Sequence, residues 1–210
     1  MNCSFCETVA TGADVEFKSR YPEAVSRVLY QDDKLIVTPT IGQLSPSHLL
    51  VVAKEHVTKF FPESWTVVDD ALSAIKQLGY RGGLIFEHGI SSETEARNCG
   101  IAHAHLHYLS SQPHSIAAIV AAFKVKTRAE LVPLKELIEI SRQADEYLYL
   151  TDDGETFWVA QENLESQLLR KIIAAQFGLQ WDWRKYERQE WVEALLEPHY
   201  VERMLETKNI

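Results

Sequence analysis

The segment Cys99-Gly-Ile-Ala-His103-Ala-His105-Leu-His107-Tyr-Leu carries three imidazoles at alternate positions. Side chains alternate faces along a β-strand, so a strand over 101–109 places His103, His105 and His107 on one face. Ala104, Leu106 and Tyr108 then form an apolar back face. One histidine on a strand is ordinarily a surface residue or a satisfied core residue. Three in register are a poor packing solution, because protonated neighbours repel and neutral ones each need a partner. Three uses remain open: a metal site built from alternate-strand histidines, catalysis by one imidazole with its neighbours orienting it, or a division of the set between the two. An imidazole with an ordinary pKa of about 6.5 is a nucleophile at neutral pH. It attacks phosphorus without a separate base.

The surrounding chain limits the settings for this chemistry. It has 210 residues, 46% of them hydrophobic, enough for one domain with an added subdomain. Lys plus Arg is 21 and Asp plus Glu is 30, a net charge of −9. An acidic chain is a poor binder of long nucleic acid, which needs a basic surface, but a small phosphorylated ligand is still admissible. Cys3 and Cys6 form a C-x-x-C, and three cysteines are too few for a disulfide scaffold. The first residues have no basic region followed by an apolar one, and no run approaches the roughly 18 apolar residues of a membrane span. The expectation is a cytoplasmic protein without a membrane partner. In a reducing compartment the C-x-x-C reads as a metal or redox pair.

Periodicity predicts an α+β class. Residues 1–25 read as polar, with turn signals. Short strands are expected at 28–30 and 35–38, a loop over 39–47, and a buried strand over 48–53. Trp65, Val68, Leu72, Ile75 and Leu78 recur at helical spacing, predicting a helix over 63–78. A strand follows at 83–87, a polar loop at 89–98, and a helix at 115–123. Another helix starts at Pro133, and a hairpin over 147–160 turns at Asp152-Asp-Gly154. Asn163 is the expected cap of a helix running to Phe177 and ending at Gly178, and a final helix covers about 188–205. A boundary falls near residue 112.

His103-Ala-His105-Leu-His107-Tyr-Leu resembles the histidine triad pattern, His-φ-His-φ-His-φ-φ with φ apolar, at every position. Pro46-Ser-His48-Leu-Leu-Val-Val-Ala-Lys-Glu-His56 and Phe86-Glu-His-Gly89 resemble the segments that precede the triad in that family, in the expected order. The resemblance covers roughly residues 3–112. It implies an antiparallel sheet with flanking helices, with 1–112 as catalytic core and 113–210 as an extension packed on it. It also implies a nucleotide hydrolase or nucleotidyl transferase acting at an α-phosphate on a nucleotide or nucleoside phosphate conjugate. In this reading His105 attacks phosphorus and forms a nucleotidyl-histidine. His107 contacts the phosphoryl oxygens, His103 and His48 complete the cluster, and Gly100 and Ile101 line the phosphate site.

The same resemblance, extended to the related galactose-1-phosphate uridylyltransferases, implies a structural zinc held by Cys3, Cys6, His56 and His103. It also raises the prospect of a homodimer formed edge to edge. The chain departs from the family in places. Thr40 stands where small members carry a ribose-binding acid, and Glu87 where they carry an Asn. The loop before the triad is long and acidic, with Glu93 and Glu95, and Cys99 reads as a packing residue.

Beyond residue 112, Glu165 to Gly178 and Trp181-Asp-Trp-Arg184 resemble the C-terminal part of longer members. Gln167, Arg170 and Lys171 share a helix face at spacings of three and four, which suits either a phosphate-facing patch or a solvated surface. Trp181 and Trp183 read as packing anchors. Two other classes stay open: a nucleotide-binding module with vestigial catalysis, and a zinc-binding structural protein.

Overall fold

A computed structural model describes residues 3–61, 66–91, 101–110, 116–152, 154–182 and 189–197. The chain opens with two short helices, α1 (Ser4–Thr11) and α2 (Val15–Arg20). Strands β1 (Tyr30–Gln31), β2 (Leu35–Pro39) and β3 (Leu49–Ala53) follow. Helix α3 (Val67–Gln77) leads to β4 (Leu84–Ile90) and β5 (His105–Leu109). The later part comprises α4 (Ile116–Thr127), β6 (Glu130–Pro133), α5 (Leu134–Gln143), β7 (Glu146–Thr151), β8 (Thr156–Ala160), α6 (Leu168–Gln176) and α7 (Gln189–Leu196).

The strands form one eight-stranded sheet in the order β1-β2-β3-β5-β4-β7-β8-β6, with every pairing antiparallel. The α+β class expected from the periodicity is the one observed. Strand β7 runs along β4 from Ile85↔Thr151 to Ile90↔Glu146, so the C-terminal hairpin continues the sheet of the N-terminal part. Among the described residues no helix is long and apolar enough to cross a membrane.

The pleat sorts the side chains. Val37, Val51, Leu106, Tyr108, Ile85 and Tyr149 point to one face, under α3 and α5. The reverse face is covered in two pieces. Phe5 of α1 packs on Ile36, Leu50 and Val52, while α4 and α6 pack on Leu84, Phe86, Leu148 and Leu150. His105 and His107 lie on this reverse face where the pieces meet, since His105 opposes Val52 and His107 opposes Leu50 and Phe86.

The N-terminal helices are fixed by polar contacts. Gly12 ends α1 in the left-handed region at φ 86, and its N–H donates to the Thr8 carbonyl at 2.8 Å. Asp14 caps α2 through the Phe17 N–H at 3.0 Å and meets Arg27 at 2.6 Å. The buried Arg27 also donates to Thr38 Oγ1 and the Pro39 carbonyl, tying these helices to β2. Burial pushes the Asp14 carboxyl up, but Arg27, the Phe17 N–H and the Thr8 hydroxyl together hold it below the ordinary value.

Several elements differ from the sequence expectation. The polar N-terminal stretch contains α1 and α2, and β6 pairs with β8 where no strand was expected. The helix expected from Asn163 starts at Leu168, because Asn163 and Gln167 both take left-handed backbone (φ 59 and 61). The helix expected to end at Phe123 continues to Thr127. The strand expected over 101–109 is confined to His105–Leu109, which leaves His103 ahead of it. Trp65, Glu93, Glu95, Cys99, Gly100 and Trp183 lie outside the described residues.

Candidate active site and metal cluster

Hydrogen bonds assign a tautomer to each of the three clustered histidines, His48, His105 and His107. The Leu44 N–H donates to His48 Nδ1 at 3.1 Å, so His48 carries its proton on Nε2. That proton faces His107 Nδ1 at 2.9 Å, which in turn leaves the His107 proton on Nε2. His105 Nδ1–H donates to the His103 carbonyl at 2.8 Å, so the lone pair of His105 is on Nε2. Ring packing fixes the planes. Phe86 stacks on His107 at 4.5 Å and 7°, and Phe5 meets His105 edge-on at 5.2 Å. One ring of the pair therefore presents a lone pair and the other an N–H.

Burial holds His48 and His107 well below the ordinary imidazole pKa and His105 at about 4, against the His103 carbonyl bond that pulls His105 back up. All three are neutral at pH 7. In the unfolded chain they titrate near 6.5, so the unfolded state binds more protons as the pH falls below that value. Their contribution to stability is complete above about pH 6.5 and is lost as the pH falls toward the folded values, about 4 for His105, for which it is on the order of 3 kcal/mol.

Glu87 acts in the opposite direction. Burial pushes its carboxyl up to about 7, against hydrogen bonds from the Phe60 N–H and the Tyr147 hydroxyl and the nearby Lys59, so it favours the fold as the pH falls from 7 toward its unfolded value. The three imidazoles outweigh it. The urea midpoint is expected to be highest near neutral pH and to fall between pH 6.5 and 4, more steeply in Glu87→Gln. A flat profile in both proteins would contradict the neutral buried histidines.

A cavity of about 280 Å³ opens over the pair, lined among others by Phe5, Thr40, Ile101, His105, His107 and Arg170. Arg170 comes from α6 and is buried. Its guanidinium donates to the Ile41 carbonyl (2.9 Å), the Gly42 carbonyl (2.5 Å) and Gln167 Oε1 (3.0 Å), and it stacks on Trp181 at 4.5 Å. Burial pushes Arg170 down to about 9, so it is still a cation at pH 7. Among the described residues no carboxylate pairs with it, and its Nε has no partner.

The other cluster joins α1 to the start of β5. Ligand atoms of Cys3, Cys6, His56 and His103 all lie within 4.8 Å of one another. Cys3 Sγ is 3.3 Å from His103 Nδ1, and Cys6 Sγ is 3.1 Å from His56 Nδ1 and 3.6 Å from His103 Nδ1. Neighbouring ligands around a tetrahedral zinc stand roughly 3.3–3.8 Å apart, so the set fits zinc. The chemistry fits too. His103 Nε2–H donates to the Ala53 carbonyl at 2.7 Å, which turns the Nδ1 lone pair toward both sulfurs.

Most of the residues anticipated from sequence gather here. His48, His105 and His107 form one chain, and Thr40, Ile101, Gln167 and Arg170 line the same cavity. The His103 side chain sits with the cysteines instead, and only its carbonyl reaches His105. Thr40 donates its hydroxyl to the Ile41 carbonyl. Trp181 packs with the α4–α6 cluster, as an anchor would. Lys171 reaches Glu165 and is exposed. Glu87 points to the face opposite the triad, because Phe86 and His88 alternate with it along β4. The sequence reading missed His88, which the register of β4 places next to His105.

No family model matches the chain, and no curated protein matches it. Solved structures do. Several of the solved structures it is similar to are described as histidine triad proteins. A HIT family hydrolase from Clostridium thermocellum is 22% identical, with 54% of this chain and 94% of that one covered, at a TM-score of 0.37. A zinc-bound histidine triad family protein from Mycobacterium smegmatis is 19% identical over 55% of this chain and 79% of that one, at 0.37. A hypothetical histidine triad nucleotide-binding protein from Sulfolobus tokodaii is 15% identical over 84% of this chain and 92% of that one, at 0.35.

Proposed function

We propose that the chain is a nucleotide hydrolase or nucleotidyl transferase that works at an α-phosphate through a nucleotidyl-His105 intermediate. One observation carries this reading: a neutral His105 with its lone pair on Nε2 shares a cavity with the N–H of His107 and with a buried cation that no carboxylate among the described residues pairs with. An uncompensated buried guanidinium is costly, and an anionic ligand supplies the missing charge. The cavity is large enough for a nucleoside phosphate.

The first step forms a bond from His105 Nε2 to the α-phosphorus and breaks the bond to the leaving group, which departs with the electron pair. The ring becomes cationic, and its Nδ1–H bond to the His103 carbonyl strengthens as the charge develops. His107 Nε2–H donates to a non-bridging oxygen, and Arg170 balances the charge spread over the others. In the second step an acceptor attacks phosphorus and the electron pair returns to Nε2. Cys3, Cys6, His56 and His103 would hold a structural zinc that takes no part in either step and cross-links α1 to the sheet. Residues 1–112 then form the catalytic core, and 113–210 an extension that supplies Gln167 and Arg170.

The test is intact-protein mass spectrometry after rapid acid quench with adenosine and guanosine 5′-phosphoramidates and diadenosine tetraphosphate. A nucleotidyl mass increment is expected. Nucleotide binding without an adduct from any of them would overturn the reading. Arg170→Ala is expected to slow adduct formation by roughly 10²-fold, the usual cost of losing one donor to a developing oxyanion, with Arg170→Lys recovering part of it. An unchanged rate would remove Arg170 from the phosphate site.

A further inference from the structure

A small cavity of about 30 Å³ adjoins the histidine pair on the side of β4, β7 and α6. His105, His107 and Arg170 line it, together with His88 and Leu148. A space of this size holds two or three waters, at roughly 10–15 Å³ for each. His88 lies on the triad face of β4, two residues from Phe86 and in line with His105. Its Nε2 is 2.6 Å from Glu146 Oε1, a carboxylate on the neighbouring strand β7. The carboxylate accepts, so His88 holds its proton on Nε2 and its lone pair on Nδ1. Leu148 fixes the register, because His88 opposes it and Glu146 precedes it by two residues on the same face. Nothing in the first chemical step uses this pair.

We propose that the small cavity is the acceptor pocket and that His88, oriented by Glu146, is the general base that activates water for release of the nucleotide from His105. The proposal rests on the nucleotidyl-histidine reading above. Water oxygen bonds to the α-phosphorus, the P–Nε2 bond breaks with its pair returning to His105, and the water proton passes to His88 Nδ1. Glu146 stabilises the imidazolium that results, as a carboxylate does for an imidazole base in other hydrolases. The products are a nucleoside monophosphate and a free enzyme, once His88 returns its proton to solvent. In an in-line second step the acceptor enters where the leaving group left, so a pocket of this size suits water as the acceptor and a small leaving group such as the ammonia of a phosphoramidate. Burial lowers the His88 pKa and Glu146 pulls it back up, leaving a neutral base at pH 7.

The test separates the half-reactions. Rapid-quench mass spectrometry with adenosine 5′-phosphoramidate follows adduct formation and decay in wild type, His88→Gln and Glu146→Gln. In His88→Gln the adduct is expected to form at the wild-type rate and to decay roughly 10²–10⁴-fold more slowly, so that it accumulates. Hydroxylamine, which needs no base, restores its decay. Glu146 is a positioning residue. Glu146→Gln should slow decay less and move the acid limb of its pH profile to lower pH, since the carboxylate no longer raises the His88 pKa. An adduct that forms and decays in His88→Gln as in wild type overturns the proposal and leaves the nucleophile assignment standing. No adduct in wild type removes that assignment and the proposal with it. If His88→Gln has no cooperative thermal transition, Glu146→Gln decides alone: accumulation with the shifted limb supports the base, and a wild-type decay profile overturns it.

Discussion

His105→Ala is expected to abolish the nucleotidyl adduct and to lower turnover by about 10⁴–10⁶-fold, the range seen when a covalent nucleophile is removed. The effect should be large because no other member of the triad can replace it. His107 is committed through Nδ1 to His48 and presents an N–H to the cavity, and the His103 lone pair faces the cysteines. The backbone leaves one imidazole lone pair of the triad facing the cavity, and it belongs to His105. The substitution should spare the fold. The His105 ring packs edge-on against Phe5, and its removal leaves the Leu50, Val52 and Ile36 contacts of α1 in place. Steady-state rates and intact mass with the same phosphoramidate, beside a thermal melt, make the comparison. Retained turnover in a folded His105→Ala protein would sink the nucleophile assignment.

The period-two spacing of the triad was legible because a strand obliges alternate residues to share a face. The same rule misplaced His103. Ala104 N–H donates to the Val57 carbonyl, and Ala53 N–H to the Ala104 carbonyl, so the chain ahead of β5 is set by the turn after β3 and not by the strand pleat. That contact spans about half the core in sequence and has no local signal. Helices α1 and α2 were hidden for another reason. Cys3 is an unusual cap, and α2 buries only Phe17, so neither shows an apolar stripe. Strand β6 lies at the sheet edge with Leu131 half exposed, which spoils the alternation that marks a strand.

The spacing of Gln167 and Arg170 did predict a shared location, but not what they face. Arg170 reaches the triad through the loop carbonyls of Ile41 and Gly42, more than a hundred residues away. The His88–Glu146 pair depends on the register of β4 against β7, a pairing that single-residue patterns do not encode. In each case the residue type was visible and its partner was not, because the partner is chosen by strand order.

Cys6→Ser, or removal of metal with a chelator, is expected to lower the melting temperature by roughly 10 °C, since metal affinity in such a site is folding free energy and several kcal/mol are at stake. Helix α1 is held to the sheet by few apolar groups, mainly Phe5 and its neighbours, and by the Thr8–Asp14–Arg27 contacts, so the cysteine–histidine cluster is a substantial further anchor. Chelation should cost activity as well. His103 donates from Nε2 to Ala53, offers Nδ1 to the sulfurs, and accepts the His105 proton on its carbonyl, so one residue joins the metal cluster to the nucleophile. When the metal is removed, the Ala53 and Val57 bonds alone hold the His103 peptide, and His105 is less firmly oriented. Adduct formation is then expected to slow while the acid-quench product keeps the same mass, which separates lost positioning from lost chemistry. Metal analysis should give one zinc per chain in wild type and in His105→Ala, and less in Cys6→Ser. Unchanged metal content and melting temperature in Cys6→Ser would reject the zinc site. Loss of zinc in His105→Ala would place that imidazole among the ligands and return the histidines to a purely metal-binding role.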